Sequence, residues 1–261
     1  MAIGLIGGSG LYEIEGIEIT KEVSVSTPYG EPSAAYKTGT LNGVEIAFLP
    51  RHGILHSIPP HKVNYRANIW GFKSLGVERV ISVSAVGGIS SDMPPGSIVL
   101  PDQIIDMTIG ARASTFYDND KVVHVDFTNP YCPEMRGVII KASGNIGLAL
   151  KKAGTYICVN GPRLETAKEI QFFSMIGADV VGMTAMPEAA LARELEMCLT
   201  GISVVTNCAA GLSGSKLTTT EVVGTMKNSM QRIRSLLKEV ISQIPAYRTC
   251  QCKDALKDAE L

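Results

Sequence analysis

The sequence predicts an α/β fold built on a mostly parallel sheet. Short apolar runs recur between stretches of helical spacing, the alternation expected of strand–helix–strand units. Several runs end in glycines or small polar residues, as at Gly7-Gly8-Ser9-Gly10, Ser84-Ala85-Val86-Gly87-Gly88 and Asn207-Cys208-Ala209-Ala210-Gly211. In such sheets ligands bind beyond the carboxyl ends of strands, so Ser9, Ser84, Met183-Thr184 and Asn207 mark where function is sought.

The first strand is Ile3-Gly4-Leu5-Ile6, followed by the glycine turn that holds Ser9. Glycine lets backbone N–H groups approach and wrap an anion, and Ser9 adds a hydroxyl. A plain turn is the alternative, because the pattern lacks both the dinucleotide fingerprint and the lysine of a P-loop. Residues 18–25, 34–41 and 44–50 read as strands, the last two joined by Asn42-Gly43, a strong hairpin signal. A helix follows over 63–75, with Ile69, Phe72 and Leu75 at helical spacing. Strand 79–85 runs into the second glycine turn, and 98–101 and 104–106 add more strand. Residues 111–132 are irregular, and a long excursion of this kind is usually functional or an interface. The remainder reads as helix 133–153, strand 156–159, loop Asn160-Gly161-Pro162-Arg163 and a helix starting near Glu165-Thr166. Then come a strand end at 180–183, a helix from Pro187-Glu188 to Met197, strand 202–206 and a helix over 219–244.

The chain has 261 residues, 45% hydrophobic and 19% charged, enough for a sizeable soluble core in one large or two small domains. A net charge of −1 without a basic arm argues against a nucleic-acid partner. No charged leader precedes the first strand and no apolar run reaches membrane-span length, so a cytoplasmic protein without a membrane partner is expected. Cys132, Cys158, Cys198 and Cys208 stand singly and read as small core hydrophobes. Cys250-Gln251-Cys252 reads as a free pair on a mobile tail, a redox pair or a strained disulfide, the last unusual in a cytoplasm.

Arg51-His52 follows a strand, and the arginine fork suits an oxyanion such as phosphate. Three of the four histidines, His52, His56 and His61, lie close together, but no Asp, Glu or Cys joins them at ligand spacing. No metal site is therefore expected. No nucleophile elbow or Cys–His pair is present, so an enzyme built this way positions two substrates. Ser9, Arg51, His52, Ser84 and Thr184 can supply donors around one oxyanion. Glu165 is either an acid favoured in a first helical turn or a carboxylate accepting from a ligand N–H. Asn207 is either a turn residue or a carboxamide that both donates and accepts.

These residues together resemble the trimeric purine nucleoside phosphorylase and 5'-methylthioadenosine phosphorylase family. The likeness runs to about Ile244. It rests on Gly7-Gly8-Ser9-Gly10, Arg51-His52-Gly53, the run from His61 to Asn68, Ser84-Ala85-Val86-Gly87-Gly88, Gly161-Pro162-Arg163, the run from Gly177 to Thr184, and Pro187-Glu188. The resemblance implies a single nucleoside phosphorylase domain over 1–245, a mixed sheet flanked by helices, and a tail over 246–261. It implies reversible phosphorolysis of a purine nucleoside, giving free base and a pentose 1-phosphate. No cofactor is implied; inorganic phosphate is a co-substrate, and the assembly would be a homotrimer or a dimer of trimers. By this likeness Ser9, Arg51, His52, Ser84, Ala85 and Thr184 bind phosphate, with Arg51, His52 and Asn207 catalytic. Met183 lies under the ribose, and Leu164, Glu165, Asn207 and Ala209 meet the base. Thr219 and Val222 border the 5' group, and His124 reaches a neighbouring subunit near it.

The methylthioadenosine enzymes of this family resemble one another in carrying Asp where this chain has Asn207 and Ala209. Glu165 can accept from the N1–H of a 6-oxopurine, whereas adenine N1 bears no hydrogen. A 6-oxopurine preference is therefore expected, with inosine, guanosine and 5'-methylthioinosine as candidates. The alternatives are a methylthioadenosine or broad-specificity phosphorylase, a hydrolytic nucleosidase, a non-catalytic purine binder and a dinucleotide oxidoreductase.

Overall fold

The computed structural model describes residues 2–8, 17–119, 121–214 and 218–260, so Ser9 lies outside the described residues. One sheet contains β1 (Ala2–Gly7), β2 (Glu18–Val23), β3 (Tyr36–Leu41), β4 (Val44–Pro50), β5 (Val77–Gly88), β6 (Ile98–Val99), β7 (Gln103–Met107), β8 (Thr155–Val159), β9 (Val180–Gly182) and β10 (Cys198–Cys208). The helices are α1 (Tyr65–Ser74), α2 (Pro133–Asn145), α3 (Ala167–Met175), α4 (Ala185–Glu194) and α5 (Thr219–Gln243).

The strand order is β2-β3-β4-β1-β5-β9-β8-β7, with β10 alongside β5 and β6 on β10. β1 pairs in parallel with β4 and β5, β10 with β5, and β8 with β7 and β9. The pairs β2–β3, β3–β4, β5–β9 and β6–β10 are antiparallel. The sheet is thus mixed, as the family resemblance implies, with five of its nine strand pairs parallel. The β3–β4 hairpin turns on Asn42 and Gly43, at φ of 52° and 76°, the paired positive angles that a tight hairpin requires.

Helices cover both faces. Met226, Ile233, Leu237 and Val240 of α5 join Ile139 of α2 and Ile202 and Val204 of β10 in one buried cluster. On the opposite face Ile69 and Phe72 of α1 and Leu191 of α4 pack with Val77, Val80 and Val205. At roughly 25 cal/mol per Å² of apolar surface, these two layers supply the main drive to fold.

Two boundaries differ from expectation by four residues or more. α2 ends at Asn145 rather than 153, because Gly147 takes φ 64° and Leu148 N–H caps back to Ser143 O at 2.8 Å. β10 starts at Cys198 rather than 202, its first turns of sequence disguised by Thr200 and Gly201. The tail after α5 is docked. Val123 pairs antiparallel with Glu260, and Cys250 and Cys252 are buried in the α2–α5 cluster. Among the described residues no helix is long and apolar enough to cross a membrane.

Candidate active site

A cavity of about 220 Å³ opens where β1, β4, β5, β9 and β10 end. Its wall includes Gly8, Arg51, His52, Ser84, Ala85, Leu164, Glu165, Met183, Thr184, Asn207, Ala209 and Val222. All of these are residues that the sequence singled out, Gly8 as part of the first glycine turn. His56, Pro60, Gly87 and Thr206 also line it. Thr219 is the first residue of α5, and its side chain lies outside the description. His124 is elsewhere on the chain, beside Asp126 and Arg193, with its backbone N–H on Ala259 O at 2.9 Å.

Arg51 is fully buried at one end. Its Nε donates to Glu188 Oε1 at 2.5 Å, and Nη2 donates to Glu188 Oε2 at 3.1 Å and to Ser82 Oγ at 2.6 Å. Ser82 Oγ in turn donates to Glu188 Oε2 at 2.8 Å. Nη1 donates to Val83 O at 3.1 Å, which leaves one Nη1 N–H without a partner among the described residues. Burial opposes the guanidinium charge, but the Glu188 carboxylate outweighs it and holds the arginine pKa above its ordinary value. A Cβ at Gly8 would lie 2.8 Å from Nη1 and 2.7 Å from Val83 O. That close approach is what the glycine at the end of β1 permits. Glu188 was noted only as part of a motif. Its sequence signal is a lone acid behind Pro187, and nothing local pairs it with Arg51.

His52 corrects an expectation. Its Nδ1 lies 2.8 Å from Ile58 O, and a carbonyl can only accept, so Nδ1 carries the hydrogen. Burial first, and then the Arg51 charge, push its pKa down to about 4, so the ring is neutral at pH 7. Nε2 is left as an acceptor, where the sequence suggested a donor.

Ser84 Oγ lies 3.2 Å from Ser203 Oγ. Thr184 is the N-cap of α4 without a side-chain cap bond, and its N–H donates to Tyr156 Oη at 3.3 Å. Its hydroxyl is therefore not spent on the helix. Next to it, Met183 is fixed from two sides. Gly161, at φ 63°, lets the chain pass so close that a Cβ would overlap Met183 Sδ. Arg112 donates to Met183 O at 2.8 Å, Met186 O at 2.6 Å, Asn160 O at 2.9 Å and Asn160 Oδ1 at 3.1 Å. Arg112 thus ties two loops of the wall together. It sits in the irregular stretch, where no periodicity could flag it.

At the other end β10 bulges between Val205 and Asn207. A bulge re-aims the side chain that follows it. Thr206 Oγ1 donates to Asn207 Oδ1 at 2.8 Å, and Asn207 Nδ2 donates to Cys208 O at 2.8 Å. Together they orient the carboxamide and leave one lone pair and one N–H for a ligand. Glu165 does not open α3, contrary to the expectation of a helix starting near Glu165-Thr166. Thr166 is the N-cap, and Glu169 completes a reciprocal cap with it at 2.6 and 3.1 Å. Glu165, half-buried outside the helix, faces the cavity, and burial raises its pKa.

The chain is similar throughout to known proteins. It is 55% identical over 98% of its length to a protein of Thermodesulfovibrio yellowstonii named probable S-methyl-5'-thioinosine phosphorylase, 96% of which is covered. It is 52% identical to the 6-oxopurine nucleoside phosphorylase of Pyrococcus furiosus, over 98% of each. The structure superposes at a TM-score of 0.92 and 36% identity on a methylthioadenosine phosphorylase from an antarctic soil metagenomic library, covering 99% of this chain and 92% of that one. A family model described as the phosphorylase superfamily matches residues 2–242, reaching from the first strand of the cavity to the last helix beside it. The chain belongs to the phosphorylase superfamily.

Proposed function

We propose that this protein cleaves the N-glycosidic bond of purine nucleosides with inorganic phosphate and prefers 6-oxopurines. The observation that carries the reading is the polarity of one cavity. Hydrogen-bond donors gather around Arg51 at one end, and a carboxylate and an oriented carboxamide stand at the other. Phosphate fits among the remaining Arg51 N–H, the Ser84 and Thr184 hydroxyls and His52 Nε2. The ribose then lies over Met183 and the base between Glu165 and Asn207.

The chemistry follows from that placement. A phosphate oxygen attacks C1' as the C1'–N9 electron pair leaves with the purine. The transition state carries positive charge on the ribose, and a phosphate anion held on one face stabilises it while already in reach. Asn207 accepts from N7 as that nitrogen is protonated and donates to O6, so the base departs neutral. The balance is one HPO₄²⁻ and one nucleoside giving one pentose 1-phosphate dianion and one neutral base. The proton that enters on phosphate leaves on the purine. Val222 gives the 5' end an aliphatic wall, which favours 5'-methylthioinosine beside inosine and guanosine.

Base release is to be measured from inosine, 5'-methylthioinosine, adenosine and 5'-methylthioadenosine, each with and without phosphate. Phosphate-dependent release that favours the 6-oxo pair is the expected result. Faster release from the 6-amino pair would overturn the base preference, and release independent of phosphate would overturn the phosphorylase reading.

His52 adds a second expectation. An acceptor at Nε2 can take the O–H of HPO₄²⁻ but meets only lone pairs on sulfate. A hydrogen bond to a charged group is worth about 1.5–3 kcal/mol, so sulfate should inhibit with a Ki roughly 10- to 100-fold above the KM for phosphate. In His52→Ala that ratio should fall toward one. Equal Ki and KM in the unaltered enzyme would show that His52 donates.

A further inference from the structure

Away from the cavity, four cysteines that are far apart in sequence bring their sulfurs together. The Sγ atoms of Cys132, Cys198, Cys250 and Cys252 all lie within 4.8 Å of one another, and all four residues are buried. They come from three places: the N-cap of α2, the first residue of β10 and the docked tail. We propose that these four cysteines form a tetrathiolate site for a single divalent ion of the zinc type, which fastens the tail to the body of the protein.

The geometry fits one ion. A tetrahedral zinc with Zn–S bonds of about 2.3 Å sets its sulfurs about 3.8 Å apart. Cys198 Sγ and Cys250 Sγ are 3.3 Å apart and every pair lies within 4.8 Å, close enough for one ion to reach all four sulfurs. Four thiolates select a borderline or soft ion over magnesium or calcium. The α2 end is also suited to a thiolate, because Met135 N–H points at Cys132 Sγ at 3.5 Å from the first turn of the helix.

The tail reaches the sulfurs by contacts that do not involve them. Arg248 donates to Glu196 O at 2.6 Å and to Glu78 Oε1 at 3.2 Å. Thr249 N–H donates to Glu134 Oε2 at 2.8 Å. These anchors place Cys250 and Cys252 before any ion arrives, so the site is preformed in the folded chain. As hydrogen-bonding partners the four gain little by facing one another, since thiols are weak donors and weak acceptors. The expectation of no metal was drawn from the histidines, which lie elsewhere.

The test uses the full chain, produced with zinc supplied and purified under reductant without chelator. One zinc per chain by elemental analysis is expected, released in step with mercurial titration of four thiols. Cobalt exchanged into the site should give sulfur-to-cobalt charge-transfer bands and the visible bands of a tetrahedral ion, absent in Cys252→Ser. Chelation should lower the melting temperature by about 5 °C or more. Substoichiometric zinc with four freely titrating thiols would overturn the proposal. So would a metal-free chain lighter than the reduced mass by two or four hydrogens, the signature of disulfides. The cobalt spectrum of the unaltered chain decides the matter even where the serine variant does not fold.

Discussion

Glu188→Gln should lower the melting temperature by roughly 6–12 °C and raise the KM for phosphate at least about tenfold. Removing one partner of a buried ion pair leaves the other charge unpaired, at a cost of about 3–5 kcal/mol. Glutamine keeps the shape and some hydrogen bonds, so the lower end applies, and about 3 kcal/mol corresponds to roughly 6–12 °C in a chain of this size. Both partners are at most 1% exposed, so solvent offers no relief. The effect on phosphate arises because Glu188 holds the Nε and Nη2 edge of Arg51, which aims Nη1 into the cavity. With that edge loosened, Nη1 spends less time facing the position proposed for phosphate. Measurement at a temperature where the variant remains folded separates the two effects. A normal melting temperature together with an unchanged KM for phosphate would remove Glu188 from the site.

Asn207→Asp should shift the ratio of kcat/KM for inosine over adenosine toward adenosine by about 100-fold. The carboxamide keeps one N–H to give to a 6-oxo group, and a carboxylate has none. Leaving a buried acceptor of the substrate facing an acceptor costs about 1–3 kcal/mol, and the 6-amino group gains a partner from the same change. Both contributions move the ratio in one direction. Equal losses on both nucleosides would mean that Asn207 acts on the proton at N7 alone and does not read the 6-position. A far-UV spectrum and melting curve guard against simple misfolding, since the lost bond to Cys208 O also holds the strand end.

The strand-end residues of the cavity were legible in the sequence because strands ending in glycine or a hydroxyl have a local signature. Ser84, Thr184 and Asn207 were found that way, and all three line one cavity. The partners that orient them were not legible. Glu188 meets Arg51 across 137 residues, and Arg112 meets Asn160 and Met183 from a stretch without periodicity. Pairings of that kind follow from tertiary packing, which leaves no mark on neighbouring positions. The role of His52 was hidden for a similar reason: its tautomer depends on where Ile58 O falls. The cysteines are the sharpest case. Cys132 and Cys198 looked solitary, and only the docking of the tail makes a group of them.

β5 pairs with β1 along one edge and with β10 along the other, and its last residues also meet β9. The strand that carries Ser84 is therefore hydrogen-bonded to the strand that carries Asn207, and both residues line the cavity. The two halves of the cavity form one rigid frame. In evolutionary terms, a lineage built on this frame changes its nucleoside by exchanging side chains on a fixed backbone. Relatives named for 6-oxopurines and for methylthioadenosine are similar to this one chain over nearly its whole length.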